Sequence, residues 1–273
     1  MTSILTTPVA GHMPRVSASW LHLREAADAA ARATDLVTEV RRRVRGRKSL
    51  VIHDLGCGTG AASRWLAPRL TARQHWVMWD RDPLLLADAA AHPPKGVTVE
   101  TRRRDITTLT AADLAGADLV TAAALVDLLT DDEVDSVAAA CAGVPTLVTL
   151  SVIGRVELTP ADPLDARIGA AFNAHQRRMV GERRLLGPDA VTAMVDAFAR
   201  RGVPTLLKCS PWRLGAAEPD LLSAWLSGWV DAACEQEPDL AEEATGYVRR
   251  RAAEIAAGRL VAEVHHLDLL ALP

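Results

Sequence analysis

The residues of this chain that could do chemistry centre on an acidic residue followed by three glycines at alternate positions. Asp54 precedes Gly56, Gly58 and Gly60 in residues 54–60, which read DLGCGTG. Glycine is needed where a backbone turns tightly, or where a ligand approaches so closely that a Cβ would clash. The N–H groups at a helix start just behind such a turn can bind a polar ligand.

The segments on either side of the glycines predict how they are positioned. An apolar run at 50–52 precedes them and an Ala-rich helical pattern follows them. A strand, a glycine turn and a helix form the first unit of a nucleotide-binding sheet. Gly56, Gly58 and Ala61 also match the dinucleotide pattern G-x-G-x-x-G/A, so their spacing alone does not identify the ligand.

Further acidic residues follow the next two predicted strands. Asp80 ends the apolar run that starts at His75, and Asp105 follows a third strand. A carboxylate at the end of the second strand can accept two hydrogen bonds from a ribose diol. Asp82 fits a helix N-cap better, because proline, here Pro83, is tolerated at the first helical position. Asp105 could instead cap the turn that follows it.

Strands that alternate with helices along the chain predict an α/β fold with a doubly wound, mostly parallel sheet. We expect an N-terminal tail and helical extension over 1–48, flexible before about Val16, and one catalytic domain over 49–273. Helical inserts are expected near 152–188 and 213–257, after strands five and six. The predicted strands are 50–52, 75–80, 97–101, 117–122, 144–151, 204–209 and 259–269.

The string DLGCGTG closely resembles motif I of the class I S-adenosylmethionine-dependent methyltransferases, whose consensus is acidic-x-G-x-G-x-G. The resemblance covers about residues 49–151 and weakens beyond them. It implies a seven-stranded sheet with helices on both faces, in which the seventh strand runs antiparallel beside the sixth. It also implies S-adenosylmethionine as cofactor and in-line transfer of a methyl group to an O, N, C or S nucleophile. Residues 49–273 would then be a methyltransferase domain with both inserts on the acceptor side.

The resemblance also implies which residues bind the cofactor. It places the ribose at Asp80 beside Arg81, the adenine at Asp105 beside Ile106, and the methionine end at the fourth strand, which resembles motif IV. The complete set of predicted cofactor-binding residues is Arg24, Asp54, Gly56, Cys57, Gly58, Gly60, Asp80, Arg81, Asp105, Ile106 and Ala123.

A helical pattern that starts at Ser19 and ends in the basic run 41–48 predicts one N-terminal helix. In many members of the resembled family such a helix lies across the cofactor, and an arginine on it pairs with the cofactor's carboxylate. Arg24 is the candidate here, and Trp20, one turn before it, is a candidate for substrate binding. The alternative is that Arg24 is a surface residue paired with Glu25 or Asp28.

The insert at 152–188 carries the predicted acceptor contacts. Asn173 and Arg177 are four residues apart on a predicted helix, so they share one face, which we expect to look into the cleft. The planar guanidinium of Arg177 would suit an anionic acceptor. His175 is the candidate general base, needed only if the acceptor starts protonated. The alternative is a solvated helix face.

Composition narrows the class of acceptor. The formal net charge of −3, and the lack of an N-P-P-Y-type string after the fourth strand, argue against nucleic acid and favour a small-molecule methyl acceptor. The four cysteines are far apart, so neither a metal site nor a disulfide framework is predicted. We expect no signal peptide, no membrane span and a cytoplasmic location. A homodimer is compatible with the sequence.

Two other classes of function stay open at this point. An NAD-dependent oxidoreductase also uses a glycine turn and a ribose carboxylate. Asp54 and the apparent sixth and seventh strands argue against that reading. A non-catalytic relative of the methyltransferase fold could bind an adenosyl ligand or a partner protein, although the intact cofactor positions argue against it.

Overall fold

The predicted alternation of strands and helices is present in a computed structural model of the protein, which describes residues 16–273. The tail predicted before Val16 lies outside the described residues. The strands are β1 Ser49–Leu55, β2 Arg73–Asp80, β3 Thr98–Arg103, β4 Leu119–Ala123, β5 Thr146–Thr159, β6 Met179–Val180, β7 Arg183–Arg184, β8 Thr205–Cys209, β9 Trp212–Leu214 and β10 Val261–Ala271. The helices are α1 Ala18–Ala31, α2 Thr34–Arg43, α3 Ala61–Leu66, α4 Pro83–Ala91, α5 Asp131–Cys141, α6 Asp165–Gln176, α7 Ala190–Ala199, α8 Pro219–Gln236 and α9 Ala241–Ala256.

The main sheet has the strand order β3-β2-β1-β4-β5-β10-β8. Strands β1 to β5 pair in parallel, and β10 runs antiparallel between β5 and β8. This confirms a doubly wound, mostly parallel sheet and its antiparallel last strand. The predicted strand count needs one correction: β9 pairs with the first half of β10, so the sheet has eight strands. With three residues, β9 is too short for a recognisable alternation.

The central strands read as apolar runs because helices cover both faces of the sheet. Ile52, Trp76 and Met78 pack towards one face, while Val77 and Val120 pack towards the other. Helices α2, α3 and α4 lie on the first face, and α5 and α7 on the second. A separate core joins α6, α8 and α9 to β9 and the outer half of β10.

The order in which the strands are laid down reverses between β1 and β4. Ligands of doubly wound sheets bind at such a switch point, beyond the carboxyl ends of the strands. The glycine turn after β1 and the loop after β4 therefore both lie where a ligand site is expected.

The single N-terminal helix that the sequence predicts is in fact two helices. Helix α1 ends at Arg32, whose backbone is extended at φ −54° and ψ 136°. The N–H of the next residue, Ala33, donates to the carboxylate of Asp268 on β10 at 2.8 Å. A tertiary hydrogen bond thus takes the place of the helical one and bends the chain between α1 and α2.

Strand β5 is longer than predicted and continues into the insert at 152–188 as far as Thr159. Its pairing with β10 is shifted near Leu150, which has a φ of +59°. Asp268 accepts the N–H of Leu150 at 2.7 Å, and the hydroxyl of Ser210 at 2.5 Å. One buried carboxylate therefore holds the β5 irregularity, the α1–α2 bend and the start of the β8–β9 turn together.

The described residues include no helix with the length and apolar character that a membrane crossing requires.

The predicted N-cap of α4 is confirmed, since an Asp82 side-chain oxygen accepts the N–H of Leu84 at 2.9 Å and Pro83 is the first helical residue. Replacing Asp82 with alanine should remove this cap and cost about 1 kcal/mol of stability. We expect a melting temperature about 2–3 °C lower by calorimetry. Asp82→Asn keeps a capping oxygen and should melt close to the wild type. Equal losses in the two variants would contradict the cap.

Candidate functional site

The glycine turn after β1 has a backbone that other residues rarely adopt. Gly56, Gly58 and Gly60 have φ values of +63°, +56° and +84°, all in the left-handed region that glycine enters without steric cost. A Cβ on Gly58 would lie 3.0 Å from Leu21 of α1, and one on Gly56 would lie 2.7 Å from Leu125. Helix α1 and the loop after β4 therefore pack directly against the turn.

Asp80 at the end of β2 clamps this turn. Its Oδ2 accepts the N–H of Gly58 at 3.0 Å, and its Oδ1 accepts the N–H of Asp82 at 2.9 Å. Burial raises the pKa of Asp80, although these N–H groups favour its charged form. A carboxylate oxygen has a second lone pair, so Asp80 can hold the turn and still accept from a ribose hydroxyl. The ribose role stays a prediction.

Asp54, at the end of β1, is almost completely buried, with 1% of its surface exposed. One oxygen accepts the hydroxyl of Thr121 on β4 at 2.7 Å. The other oxygen, Oδ2, is buried and has no hydrogen-bond partner among the described residues. Burial raises the pKa of Asp54 to about 6, against the effects of Thr121 and of the positive charge of Arg32. Such an atom is satisfied when a ligand donor reaches it.

Arg32, at the bend after α1, is the buried cation of this region and was missed by sequence reasoning. It is 3% exposed. Its Nε donates to the hydroxyl of Thr149 on β5 at 3.4 Å, while Nη1 has no partner in the described part of the chain. The guanidinium lies 5.3 Å from the ring centroid of Trp65. Burial lowers the pKa of Arg32, and nearby Asp28 opposes that shift.

Arg24 pairs with Asp28, as the sequence alternative described, but its side chain is only 13% exposed and therefore does not lie on the surface. Its Nε and Nη2 donate to the carboxylate of Asp28 at 3.0–3.1 Å. Asp28 also accepts the indole N–H of Trp212 at 2.9 Å. The guanidinium lies 4.8 Å from the Trp212 ring centroid and 6.0 Å from that of Trp20. Trp20 and Arg24 thus pack against β9, and their predicted ligand roles stay predictions.

The remaining cofactor candidates lie around the same edge of the sheet. Asp105 accepts the N–H and the hydroxyl of Thr107 at 3.0 and 2.8 Å, which is the capping alternative. Ile106 is buried in the core and Arg81 is exposed. Ala123 ends β4. Their roles at the adenine, the ribose and the methionine end stay predictions.

The candidate Cys57 has a shifted pKa, and Ala124, which was not predicted as a site residue, has an unusual backbone conformation. Burial raises the pKa of the Cys57 thiol well above its usual range, so this residue acts as a neutral side chain. The residue after β4, Ala124, has a φ of +49°. Positive φ is costly for a residue with a Cβ, and such strain is concentrated at functional sites.

The three acceptor candidates on α6 contact elements away from the glycine turn. Asn173 donates to the carbonyl of Gly154 at 2.7 Å, and Arg177 pairs with Asp189. His175 is buried 3.2 Å from Glu235 of α8, and burial lowers its pKa. In the described residues no hydrogen bond or ion pair joins these side chains to residues 54–60, and their acceptor roles stay predictions.

Two buried polar residues near Arg24 were not predicted as site residues from the sequence. His266 on β10 is buried, its ring centroid lies 5.6 Å from that of Trp212, and its Nδ1 has no partner among the described residues. Burial and the charge of Arg24 lower its pKa to about 3, so the imidazole is neutral. Asp127 follows β4, and burial raises its pKa against the charge of Arg24. Both groups feel the charge of Arg24, which packs with α1 against β9, although they lie far from it in sequence.

Comparison with known proteins identifies the central segment. Residues 52–145 match the model of a family described as a methyltransferase domain. This range includes the second half of β1, the glycine turn, Asp80, Asp105 and β4. No curated protein matches the chain by sequence.

Several solved structures resemble the chain at low identity. A cyclopropane synthase from Mycobacterium tuberculosis is 13% identical, with 87% of this chain and 83% of that chain covered and a TM-score of 0.45. A methyltransferase from Geobacter sulfurreducens in complex with S-adenosyl-L-homocysteine is 13% identical over 93% and 98%, with a TM-score of 0.44. A geranyl diphosphate methyltransferase is 11% identical over 87% and 77%, with a TM-score of 0.47. Likeness at this level says nothing about the acceptor of this chain.

The raised pKa of Asp54 predicts a pH-dependent stability effect. The folded carboxyl titrates near pH 6 and the unfolded one lower, so this group costs stability increasingly as pH rises from about 4 to 6, and fully above that. Asp54→Asn removes the charge. Its melting temperature relative to wild type should therefore be higher at pH 7.5 than at pH 5. A difference that does not change between these two pH values would show that Asp54 has an ordinary pKa.

Proposed function

We propose that the chain is a class I S-adenosylmethionine-dependent methyltransferase and that it transfers the methyl group to a small-molecule acceptor. The observation that carries the proposal is the glycine turn at the β1–β4 switch point, clamped by Asp80 and covered by α1. The motif, the fold and the buried polar groups beside the turn all support binding of an adenosyl ligand that has a charged end.

The residues at this edge fit S-adenosylmethionine. Asp80 offers acceptor lone pairs to ribose hydroxyls, and the three glycines leave the turn without side chains where a ligand would pass. The unpartnered Oδ2 of Asp54 offers a buried acceptor to an ammonium group. When bound, the cofactor supplies a methyl group activated by its sulfonium. The chain's own task is then alignment of the two reactants and exclusion of water.

Helix α1 supports the exclusion of water. Leu21 lies against the glycine turn, and Glu25 forms an ion pair with Arg64 of α3 at 2.6 Å. The indole N–H of Trp65 donates to the carbonyl of Ala29 at 3.1 Å. These contacts hold α1 across the carboxyl ends of the strands, so a ligand on the turn would be covered on that side.

A small-molecule acceptor is supported by charge and by enclosure. The net charge of −3 provides no field that attracts nucleic acid. Helices α6, α8 and α9 share a core with β9 and with Trp20 of α1, so the acceptor side is bounded by packed helices. The division at residue 48, a homodimer and a cytoplasmic location stay predictions.

Calorimetric titration tests the proposal against the oxidoreductase alternative. S-adenosylmethionine and S-adenosylhomocysteine should each bind at one site per chain, while NAD should not bind. Binding of NAD but not of an adenosyl ligand would overturn the proposal. Transfer of labelled methyl groups to pooled small molecules, compared with pooled RNA and protein, then tests the class of acceptor.

Gly58→Ala should weaken S-adenosylhomocysteine binding at least ten-fold, because its Cβ would stand on the ligand side of the turn, where Leu21 already lies 3.0 Å from that position. The backbone strain of alanine at φ +56° also lowers stability. Gly96→Ala is the matched control, since Gly96 has a φ of +75° and open space around it. It should lose comparable stability and bind normally. Normal binding by a folded Gly58→Ala protein would exclude the turn from the site.

A further inference from the structure

The carboxyl end of β4 lies in a recess of the molecule. Residues 119–122 of the strand are buried, whereas residues 123–125 and Asp127 are half-buried. Burial nevertheless raises the pKa of the Asp127 carboxyl. A carboxyl that is desolvated while its residue stays partly accessible lies in a concave place and not on an open surface. The recess adjoins the β1–β4 switch point, where ligands of doubly wound sheets bind.

The negative charge of Asp127 is not balanced by a partner. Its carboxylate makes no hydrogen bond or ion pair with another side chain of residues 16–273, and only its own N–H and the charge of Arg24 favour its ionised form. Arg24 is already engaged, since Nε and Nη2 donate to the carboxylate of Asp28. Asp28 thus cancels the charge of Arg24 and leaves that of Asp127. A desolvated charge of this kind is costly until a cation pairs with it.

A second polar group without a partner lies beyond the same end of β4. Ala123, the last residue of β4, pairs with Thr149 of β5, and His266 of β10 pairs with Val152, three residues further along β5. His266 is 4% exposed, and its Nδ1 has no hydrogen-bond partner in the described part of the chain. The strand register therefore places this imidazole, like Asp127, past the end of β4.

The surroundings of His266 are aromatic and carry no free positive charge. The ring centroid of Trp212 lies 5.6 Å from that of His266 and 6.4 Å from that of Trp20, which is half-buried. Burial, helped by the charge of Arg24, lowers the pKa of His266 to about 3, so the imidazole is neutral. In the tautomer with its proton on Nε2, Nδ1 is a free acceptor. A carboxylate, a neutral acceptor and aromatic rings together suit a cationic donor on an apolar body.

We propose that the methyl acceptor is an amine, that its ammonium form binds to Asp127 in the recess, and that the imidazole of His266 accepts a second hydrogen bond from it. The inference rests on the proposed function and names the class of its acceptor. An ammonium has three donors and one positive charge, so it satisfies both groups and balances the charge of the recess. A hydroxyl would leave that charge unbalanced, and an anion would be repelled. Arg177, the candidate for an anionic acceptor, is already paired with Asp189.

Asp127 can also prepare the amine for reaction. The amine attacks only in its neutral form, so the bound ammonium first gives a proton to the Asp127 carboxylate. Because burial raises the pKa of this carboxyl, it is a better base than an exposed one. The nitrogen lone pair then forms the N–C bond while the C–S bond breaks and its electron pair stays on sulfur. The products are a methylated ammonium and a neutral thioether, and Asp127 releases its proton to solvent.

Three probes that share a phenyl ring and a short chain, but differ in the end group, test the class of acceptor. Phenethylamine, phenethyl alcohol and hydrocinnamate carry an ammonium, a hydroxyl and a carboxylate. Each is titrated by calorimetry into protein saturated with S-adenosylhomocysteine. Wild type should bind the amine about ten-fold or more tightly than the alcohol, because its hydrogen bonds are charge-assisted, and should bind the carboxylate most weakly.

Variants with matched controls test the two residues. Asp127→Asn keeps the size of the side chain but removes the charge, and should remove most of the preference for the amine. Asp131→Asn removes the same charge from the exposed first residue of α5 and should keep the preference. His266→Phe keeps a ring without nitrogens, and should weaken the amine about three-fold or more. His265→Phe, next to it on β10 with its side chain on the opposite face, should bind normally.

The outcomes separate the two proposals. If wild type does not bind S-adenosylhomocysteine, the proposed function fails. If it binds S-adenosylhomocysteine but not the amine, or binds the amine no more tightly than the alcohol, the function stands and the amine inference is wrong. A preference that persists in Asp127→Asn, or that Asp131→Asn loses equally, would also overturn it.

A further variant covers the case in which Asp127→Asn no longer binds S-adenosylhomocysteine. Asp127→Glu retains the charge, and should keep both S-adenosylhomocysteine binding and the preference for the amine. Loss of S-adenosylhomocysteine in that variant as well would assign Asp127 to the cofactor or to folding, and would overturn the inference.

Discussion

The carboxylate of Asp268 is the interaction on which this edge of the structure depends. It accepts hydrogen bonds from Ala33 at the α1–α2 bend, from Leu150 on β5 and from Ser210 after β8. These three segments are far apart in sequence, and none satisfies these donors by itself. Because Asp268 is fully buried, its three bonds form in a medium where each unpaired donor would be costly. The N-terminal helices are thereby attached to the sheet at a defined angle.

The attachment of the N-terminal helices to the sheet determines which residues α1 contacts. Once the bend is held, Leu21 lies on the glycine turn, and Asp28 lies between Arg24 and Trp212. The turn itself is held from the opposite side by Asp80 of β2. A flexible glycine segment thus becomes a defined surface, because its neighbours supply the rigidity that glycine lacks.

Several energetically unfavourable features of the described residues lie at this same edge. Asp54 and Arg32 are buried with unpartnered atoms, and Ala124 and Leu150 have positive φ values. Each feature lowers the stability of the free protein, and the packed sheet tolerates them. Concentration of strain and unpaired charge at one place is typical of a ligand site, where stability and function are in conflict.

Much of this protein was determined by local sequence. The glycine turn, the order of strands and helices, and the cap at Asp82 all follow from short-range patterns, because backbone sterics and hydrophobic periodicity act within a few residues. Only the tertiary structure decided that Arg24 pairs with Asp28 and that Arg32 is buried beside Asp54 and Thr149. Sequence could not show this, because an arginine in an Ala-rich helix reads as solvent-exposed. Its burial depends on a helix break made by a carboxylate on the last strand.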